Sequence, residues 1–547
     1  MRHYLEHLEE TFRNHWSEPG VVTYGGDSFT FGQMAAHIAS LQLFFKAAGI
    51  GSGDHIALCA KNTARWAISF LAINTSGAVV VPILSDFTPE GIMKLVDHSD
   101  SALLFTDNEH FEHLDLSLMP KIRAIVSTDD FCLLYSASPE LATCYNKRNE
   151  CFAANYPDGL KSNDLHFNIR DLNELAIINY TSGTSSEPKG VMLSYGNISA
   201  SVDYAHRHVD VYPTDTIVSM LPQAHIYGLV FEFIYPLTGG CTVYFLGRTP
   251  APTLLLKAMR EVRPYMICTV PLVMEKIYRS AIKPVVSRPV MKILLTLPGI
   301  SNMIRNKIRA KLDEAFGGQV RHYIMGGAAL NHEVDHWFGR LGLHYTVGYG
   351  MTEAAPLLAY IDWRDYRQGS CGRAVDCADV RIANPDPTTG VGEIQAKGDN
   401  ICLGYYKNEA ATAAAFTADG FLHTGDLGTI DSDGNIFIKG RSKNMILSPN
   451  GQNIYPEEIE AVVAGESYVA ENLVVERDNK LVALVYLNPD TLAAHGIEGD
   501  GVAKIGEQVL SAANRTLPAY SQLARVELRD KPFEKTPKMS IKRFLYS

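Results

Sequence analysis

The sequence lacks several features that would have restricted its function at once. Its nine cysteines include no C-x-x-C pair, and an unpatterned set in a long chain favours reduced thiols over a zinc site or a disulfide framework. No run approaches the roughly 20 apolar residues of a transmembrane helix, and the acidic N-terminus lacks the apolar stretch of a signal peptide. The net charge of -11 argues against a general nucleic-acid-binding protein. We therefore expect a cytoplasmic globular protein that does not bind nucleic acid.

Length and patterning predict several α/β units rather than one core. At about 150 residues per domain, 547 residues suggest three or four domains or subdomains. Short apolar strands alternate with helical segments, as where His55–Cys59 is followed by a helical pattern from Ala64 to Ser76, and this alternation predicts parallel β-α-β layers. After Gly372, short strands and turns predict a β subdomain. Residues 137–170 are polar and weakly periodic, and we interpret them as a long surface connection.

The most informative segment is Tyr180–Gly190, which lies between two apolar runs and is predicted to be a strand–turn–strand element. Small residues let backbone N–H groups approach a ligand closely, and hydroxyls and turn amides that point the same way form an anion site. Lys189 adds a positive charge. The small and hydroxyl residues that precede it include Thr181, Ser182, Gly183, Thr184 and Ser185. The pattern favours a phosphate site over a solvated hairpin, but it is not a Walker A motif because the lysine precedes the second glycine.

Other glycine-containing segments follow predicted strands. In Gly348–Glu353, an aromatic ring can stack on a planar ligand, a threonine can donate to a phosphate and a carboxylate can hold a hard cation. Gly326, Gly327 and Ala328 would let a flat base lie against the backbone. An aspartate in a glycine-containing turn, as in His423–Leu427, is more often a capping residue than a ligand. Two basic segments come later: Lys439–Asn444 and Lys535–Arg543.

In their order, spacing and residue identities, these segments resemble the motifs of the adenylate-forming superfamily. That superfamily includes acyl-CoA synthetases, firefly luciferase and the adenylation domains of peptide synthetases. The resemblance extends over nearly the whole chain. Tyr180–Gly190 resembles the family's phosphate loop, with Ser186 in place of a glycine, and Gly348–Glu353 matches its G-Y-G-x-T-E motif without change. Three later segments are also similar to family motifs: Thr424–Asp426, Gly440–Arg441 and residues 451–460.

The resemblance implies a fold and a set of site residues. The fold is α/β, with a large N-terminal domain of layered β-α-β subdomains plus a β subdomain (residues 1–441) and a small, mobile α+β C-terminal domain (residues 442–547) that hinges near Lys443. ATP would contact the phosphate loop through residues 181–185 and Lys189, and would contact the two glycine turns through Gly326, Gly327, Ala328, Tyr349, Gly350 and Met351. Further implied roles are a phosphate contact for Thr352, magnesium ligands for Thr181 and Glu353, and ribose contacts for Asp426 and Arg441.

The implied reaction activates a carboxylic acid in two steps. Attack on the α-phosphate of ATP gives an acyl adenylate and pyrophosphate, and a thiol such as that of CoA then displaces AMP. Negative charge develops on phosphate in the first step, so Mg²⁺ and lysines are useful there. A small domain that rotates about a hinge lets one site serve both steps. The alternatives are an acyl carrier protein as the acceptor of the acyl group and, in a different class, a degenerate nucleotide-binding protein.

One departure from the family pattern concerns catalysis. The family's late lysine belongs to a T-x-x-G-K-I-x-R pattern, and aligning this pattern on residues 536–543 places Ser540 at the lysine. Lys538 and Lys542 are equal candidates to supply the missing charge, because on a strand both would share a face with Ser540. Lys535 ranks lower.

The segment Leu221–Gly228 resembles the family's acyl-pocket segment. Amino-acid-activating members carry an aspartate near this position, whereas His225 followed by Tyr227 and Gly228 resembles fatty acyl-CoA ligases. The alternative for His225 is a histidine of the core. The resemblance therefore implies a medium- or long-chain fatty acid as the substrate.

Residues 275–311 stand out by charge. Nine lysines and arginines occur there with no acidic residue between them, and apolar residues are interleaved. We expect a pair of surface helices whose lysines extend past apolar neighbours. The alternative is a basic amphipathic patch in peripheral contact with the inner face of the membrane.

Overall fold

The computed structural model describes residues 1–181, 188–248, 251–447, 453–478, 480–536 and 541–546. Its strands are β1 (Pro19–Thr23), β2 (Ser28–Thr30), β3 (His55–Cys59), β4 (Val79–Pro82), β5 (Leu103–Thr106), β6 (Ala124–Ser127), β7 (Leu133–Ser136), β8 (Leu175–Thr181), β9 (Lys189–Ser194), β10 (Thr216–Ser219), β11 (Thr242–Phe245), β12 (Met266–Thr269), β13 (His322–Met325), β14 (Tyr345–Val347), β15 (Tyr349–Gly350), β16 (Leu357–Tyr360), β17 (Arg373–Ala374), β18 (Ala378–Ala383), β19 (Gly392–Gly398), β20 (Gly404–Tyr405), β21 (Leu422–Ile430), β22 (Ile436–Arg441), β23 (Ile446–Leu447), β24 (Asn453–Ile454), β25 (Val469–Arg477), β26 (Lys480–Leu487) and β27 (Arg525–Arg529).

Its α-helices are α1 (Tyr4–Asn14), α2 (Phe31–Ala47), α3 (Ala64–Asn74), α4 (Pro89–His98), α5 (Asn108–Phe111), α6 (Pro139–Asn146), α7 (Arg148–Asn155), α8 (Tyr195–His208), α9 (Ile226–Gly228), α10 (Tyr235–Thr238), α11 (Pro252–Val262), α12 (Pro271–Ile277), α13 (Lys283–Val286), α14 (Pro289–Leu294), α15 (Ile300–Ala315), α16 (His332–Leu341), α17 (Glu409–Ala415), α18 (Pro456–Ala464), α19 (Pro489–Ala494) and α20 (Asp500–Thr516). Single 3-10 turns occur at Leu116–Leu118, Ser162–Asp164, Thr352–Ala354, Ser442–Asn444, Ala519–Ser521 and Arg543–Leu545. Two π-helical segments, Leu229–Ile234 and Tyr278–Ile282, follow directly on α9 and α12.

Two large sheets organise the first two thirds of the chain. One has the strand order β20-β9-β8-β4-β3-β5-β6-β7, and the other has the order β14-β13-β12-β10-β11-β1-β2. The neighbours β4, β3, β5 and β6 are parallel, as are β11, β10, β12, β13 and β14. These sheets confirm the predicted β-α-β layers, and their buried strands are the continuous apolar runs of the sequence.

The local sequence of α2 determines where this helix begins and which face it packs on the core. Thr30 accepts a hydrogen bond from the backbone of Gln33, and the Gln33 side chain accepts one from the backbone of Thr30. This reciprocal cap satisfies two donors at the start of the helix. Ile38, Leu41 and Phe45 recur at helical spacing and are buried, so the helix packs its apolar face against the core.

The β subdomain is confirmed as an antiparallel sheet with the order β18-β19-β21-β22. The prediction of a turn at His423–Leu427 is wrong, because these residues lie inside β21. Gly425 has a φ of 70°, and the pairing of β19 with β21 shifts register nearby. The glycine therefore marks an irregularity within a strand rather than a connection between strands.

The end of the chain forms a small α+β unit. The strands β25, β26 and β27 make a three-stranded sheet, and α18 and α20 pack on it through buried residues such as Val463, Val485 and Val509. This core is distinct from the main one. The boundary at 441/442, the hinge near Lys443 and the mobility of this domain stay predictions.

Two predictions about connecting segments need correction. The long surface connection predicted over residues 137–170 contains two helices that were not predicted, α6 and α7. Leu141 and Tyr145 occupy one face of α6 and are buried, and the Tyr145 ring packs edge-on against Phe44 of α2 at 4.8 Å between ring centroids. Two buried residues within these two helices were too few to reveal the helical period.

The region 275–311 is divided into more helical segments than the predicted pair of helices. It comprises the end of α12, a π-helical segment, α13, α14 and α15. Prolines at 284, 289 and 298 interrupt it, since proline cannot donate the backbone hydrogen bond that continues a helix. Among the described residues, no helix is both long and apolar enough to cross a membrane.

Candidate active site

Neighbouring parallel strands bring the two glycine turns together. Met325 at the end of β13 is in register with Val347 at the end of β14, and the backbone N–H of Gly348 donates to the carbonyl of Met325 at 2.8 Å. The turn at 326–328 and the motif at 348–353 therefore leave the same edge of the sheet side by side. This is the edge at which ligands bind in open α/β sheets.

The second sheet supplies the phosphate-loop segment. The strands β8 and β9 are antiparallel neighbours, as the sequence predicted, and β20 extends the sheet by pairing Tyr405 with Val191. The backbone N–H of Cys402 donates to the carbonyl of Glu353 at 2.8 Å. Through these contacts Lys189, Glu353 and Tyr405 come together at the base of the loop. Thr181 ends β8, and its hydroxyl lies 3.5 Å from the Lys189 carbonyl.

Tyr405 links the lysine and the carboxylate. Its hydroxyl donates to Oε1 of Glu353 at 3.0 Å, and Nζ of Lys189 lies over its ring at 4.8 Å from the centroid. Burial, reinforced by the charge of Glu353, raises the pKa of Tyr405 well above its usual value. Tyr405 is therefore a neutral donor at physiological pH. We name Lys189, Tyr405 and Glu353 the phosphate-end cluster.

A second cluster, the ribose-end cluster, consists of Tyr349, Asp426 and Arg441. The Tyr349 hydroxyl donates to Oδ2 of Asp426 at 2.6 Å, and Nε of Arg441 lies 2.7 Å from Oδ1. Asp426 and Arg441 are cross-strand partners on β21 and β22. Burial raises the pKa of Asp426, and Arg441 opposes that rise. The exposed Arg441 thus compensates a carboxylate that is only 4% exposed.

The motif at 348–353 spans both clusters, because Tyr349 belongs to one and Glu353 to the other. Its second glycine is required sterically: a Cβ at Gly350 would lie 1.9 Å from the carbonyl oxygen of Pro356. Met351 and the buried Thr352 complete the segment.

The acyl-pocket segment meets the first glycine turn. The ring of Tyr227 lies 3.3 Å from the position of a Cβ at Gly326, and its hydroxyl donates to the carbonyl of Ile324 at 3.1 Å. His225 is half-buried at the start of α9. Gly327 has a φ of 87°, a conformation that favours glycine. The structure therefore brings Gly326, Gly327 and Tyr227 together, with His225 two residues from Tyr227 along the chain.

A buried carboxylate fixes the backbone of the same segment. Glu232 is fully buried and accepts from the backbone N–H groups of Met220 and Leu221 at 3.1 and 2.9 Å, and from the Ser219 hydroxyl at 3.1 Å. Burial raises the pKa of Glu232 to about 8. Sequence reasoning missed this residue, because a single glutamate in an apolar run gives no signal of its partners.

The structure gives local contacts for some of the predicted residues near the chain end. Lys443 is exposed on the 3-10 turn Ser442–Asn444. Nζ of Lys542 lies 3.6 Å from Glu534, and Lys535 pairs with Glu471 at 2.6 Å. Predictions for six residues concern positions outside the described residues: Ser182, Gly183, Thr184, Ser185, Lys538 and Ser540.

The described residues contain no group of three or more histidines, cysteines, aspartates or glutamates suited to a metal ion. Glu353 and the Thr181 hydroxyl are oxygen donors, which suit Mg²⁺. Mg²⁺ usually binds through one or two carboxylates together with substrate phosphates and water. The donor set at the phosphate end therefore fits a magnesium ion that arrives with a nucleotide rather than one held by protein alone.

The chain belongs to the AMP-binding enzyme family. The model of that family matches residues 8–406, and the model of the AMP-binding enzyme C-terminal domain matches residues 443–546. The region matched by the first model contains the phosphate-end cluster and the glycine turns. The resemblance inferred from the motifs is thereby confirmed at the level of the family.

Curated relatives of the chain include long-chain acyl-CoA ligases. The chain is 27% identical over 468 residues to long-chain-fatty-acid–CoA ligase 1 of Saccharomyces cerevisiae, covering 78% of this chain and 66% of that protein. It is 28% identical over 487 residues to the peroxisomal long chain acyl-CoA synthetase 6 of Arabidopsis thaliana, covering 84% of this chain and 68% of that protein. The chain thus spans about two thirds of the length of these relatives.

Solved structures agree on the fold. The anthranilate CoA ligase AuaEII in complex with anthranoyl-AMP superposes with a TM-score of 0.78 at 18% identity, covering 100% of this chain and 96% of that one. ATP-bound MatB from Rhodopseudomonas palustris superposes with a TM-score of 0.75 at 22% identity, covering 98% and 97%. The predicted α/β fold with a large N-terminal and a small C-terminal part is confirmed.

Tyr405 is the main residue that sequence reasoning missed at the site. It follows Gly404 in an unremarkable Gly-Tyr-Tyr-Lys stretch, and its importance depends on the pairing of β20 with β9. A short strand that pairs across such a distance along the chain leaves no local periodicity to detect.

Proposed function

We propose that the protein is an ATP-dependent, AMP-forming acyl-CoA synthetase that activates medium- or long-chain fatty acids. The observation that carries the proposal is the Tyr349–Glu353 segment, which joins a ribose-end cluster to a phosphate-end cluster. Membership of the AMP-binding family and the long-chain acyl-CoA ligases among the relatives support the choice of reaction and acid.

In this proposal ATP lies along the segment 349–353. Tyr349 packs against adenine and Asp426 accepts from the ribose hydroxyls. The loop after Thr181 and Lys189 hold the β- and γ-phosphates, which leave together as pyrophosphate. Glu353 and Thr181 would hold Mg²⁺, which when bound neutralises part of the phosphate charge. Tyr405 fixes the position of the Glu353 carboxylate through its hydrogen bond.

The fatty acid enters beside Tyr227 and Gly326. Its carboxylate oxygen attacks the α-phosphorus, the bond to the pyrophosphate oxygen breaks, and the acyl adenylate forms. The CoA thiol then attacks the acyl carbon and AMP leaves. The protein's contribution is to hold the carboxylate and the phosphorus in line and to place positive charge where negative charge develops. Lys538 or Lys542 supplies the charge that the family lysine would provide at position 540.

The reaction is tested by mass spectrometry of products formed from ATP, Mg²⁺ and a panel of carboxylic acids, with and without CoA. We expect pyrophosphate and acyl-CoA from fatty acids of intermediate and long chain. The variant Glu353→Gln, which removes the magnesium ligand's charge, should abolish pyrophosphate release.

Two outcomes would replace the proposed activity with one of the alternatives. Pyrophosphate release without acyl-CoA, together with acyl transfer to an acyl carrier protein, would assign the carrier protein as the acceptor. If ATP binds but no acid yields pyrophosphate, the protein is instead a degenerate nucleotide-binding protein.

A further inference from the structure

The segment 288–307 presents apolar side chains to solvent. Val290 and Ile293 of α14 are 67% and 65% exposed, and Met303 of α15 is 66% exposed. Leu297 and Ile300 lie between them and are also exposed. Single exposed apolar residues are ordinary, but five of them fall here within fourteen consecutive positions, and clustered exposed apolar side chains mark interaction sites.

Four of these side chains lie on α14 and α15, and Leu297 lies between the two helices. Val290 and Ile293 are three positions apart on α14, and Ile300, Met303 and Lys307 follow at helical spacing on α15, so each set shares a face. On the adjoining face of α15, Leu312 is buried and Ile304 and Ile308 pack against the main core. The fold therefore anchors one face of α15 in the core and leaves Ile300 and Met303 exposed to solvent.

The basic residues of 275–311 divide into two groups. Arg279 donates to the carbonyls of Ala464 and Val469, and Lys283 donates to Gly465, so these two hold the C-terminal domain. Arg305 and Arg309 donate to backbone carbonyls of residues 340 and 342. The second group is exposed and forms no ion pair within the part of the chain that the structure describes: Lys276, Arg288, Lys292, Lys307 and Lys311.

We propose that residues 288–307, which we call the apolar-basic face, dock on the surface of an anionic lipid bilayer. Apolar side chains would enter the boundary between headgroups and acyl chains while Arg288, Lys292 and Lys307 meet lipid phosphates, as in interfacial amphipathic helices. The positive charge is local, because the whole chain carries a net charge of -11. A bilayer is favoured over a protein partner because the exposed charges include Lys292 and Lys307, and lysine is depleted at protein interfaces but frequent on the polar face of interfacial helices.

The inference deepens the proposed function, since fatty acids partition into bilayers and the face would bring the enzyme to its substrate. Binding itself requires no catalysis. It is measured by co-sedimentation of the full chain with vesicles of phosphatidylcholine alone or of phosphatidylcholine mixed with phosphatidylglycerol, in the absence of ATP. We expect binding to the mixed vesicles that weakens with added salt and is about tenfold weaker on the neutral ones.

Variants separate the apolar contribution to vesicle binding from the electrostatic one. Val290→Ser with Ile293→Ser and, separately, Arg288→Gln with Lys292→Gln should each weaken binding to the mixed vesicles about tenfold. Matched controls are Leu118→Ser, an exposed leucine elsewhere, and Lys504→Gln with Lys531→Gln on the C-terminal domain. Both controls should bind as the unaltered chain does.

The proposal is overturned if the chain does not sediment with the mixed vesicles, if neutral vesicles bind equally well, or if the face variants bind like the controls. Binding of an acidic acyl carrier protein that the same variants abolish, without vesicle binding, would also overturn it. Pyrophosphate release from detergent-dispersed fatty acid provides a separate check of the proposed function. The face variants should retain it, and its absence in the unaltered chain would count against the proposed function and not against lipid docking.

Discussion

The hydroxyl of Tyr349 donates a hydrogen bond of 2.6 Å to the carboxylate of Asp426, although the two residues are 77 positions apart in the chain. Arg441 holds the other carboxylate oxygen at 2.7 Å. Asp426 is therefore fixed from both sides, and in the proposed function a ribose would meet an acceptor that needs little reorganisation.

Asp426→Asn tests this acceptor. An amide retains an oxygen for Tyr349 but loses the charge that strengthens hydrogen bonds to ribose hydroxyls. We expect the Kd for ATP, measured by titration calorimetry, to rise about tenfold or more with little change in thermal stability. Asp419→Asn is the control, because Asp419 is exposed and pairs with Arg381. Unchanged affinity in Asp426→Asn would remove Asp426 from the nucleotide site.

Tyr405→Phe tests the phosphate-end cluster. It keeps the ring beneath Lys189 and removes the hydrogen bond to Glu353, and hydrogen bonds to charged acceptors contribute about 1.5–3 kcal/mol. Pyrophosphate release should slow about tenfold and need a higher magnesium concentration for half-maximal rate. The neighbour Tyr406, whose hydroxyl donates to Asp100 at 2.7 Å, provides the control Tyr406→Phe. Equal effects of the two variants would contradict a specific role for Tyr405.

The lysines near position 540 are separated by single substitutions. If Lys538 or Lys542 stabilises the developing charge, its change to alanine should slow acyl-adenylate formation about a hundredfold while sparing thioester formation from supplied acyl adenylate. Lys535→Ala is the control, since Lys535 pairs with Glu471 within its own domain. Single-turnover kinetics measure both half-reactions. If neither variant slows the first, another group supplies the charge.

Arg279→Ala tests how the C-terminal domain is held. Arg279 donates to two carbonyls of that domain, at Ala464 and Val469, and arginine near the C-terminus of α18 also complements the helix dipole. Its loss should speed proteolysis between residues 443 and 455 severalfold and change the ratio of the two half-reactions. Lys276→Ala, at an exposed position of α12, should alter neither. Unchanged proteolysis would show that Arg279 does not restrain the domain.

The histidine pair His7 and His206 gives a prediction about pH. Their rings stack at 5.0 Å, and burial lowers the pKa of His206 from 6.5 to about 4. Between these values the unfolded chain binds a proton that the folded chain does not. The contribution of His206 to stability is therefore complete above pH 6.5 and is lost as pH falls towards 4.

We expect His206→Asn to lose less stability than the unaltered chain when the pH is lowered from 7 to 5, as measured by urea unfolding at both values. His113→Asn, at an exposed position, should behave as the unaltered chain does. An identical pH dependence in all three proteins would show that the burial of His206 does not contribute.

Local patterns predicted much of the fold because most strands of the large sheets are continuous apolar runs. His55–Cys59 was predicted with the bounds that the structure gives to β3. The helices α6 and α7 were missed because only Leu141 and Tyr145 are buried there. The supposed turn at His423–Leu427 is a strand, since a glycine with positive φ can also sit within a strand as an irregularity.

The site was predicted through motif resemblance rather than through geometry. Residues within one motif, such as Tyr349 and Glu353, could be assigned together. Contacts between distant segments could not, because nothing local marks the pairing of Tyr405 with Val191 or the acceptance of two backbone N–H groups by Glu232. Tertiary packing creates these relationships, so they become visible only in the folded chain.

The edge position of β20 has a consequence for biosynthesis. Until Gly404 and Tyr405 leave the ribosome and pair with Met192 and Val191, β9 is an open edge of the sheet, and Glu353 lacks both its backbone and its side-chain tether. A nascent or truncated chain that ends before this point exposes unpaired strand groups, which promote aggregation. The pairing of β20 with β9 thus covers the edge of the sheet and tethers Glu353 at the same time.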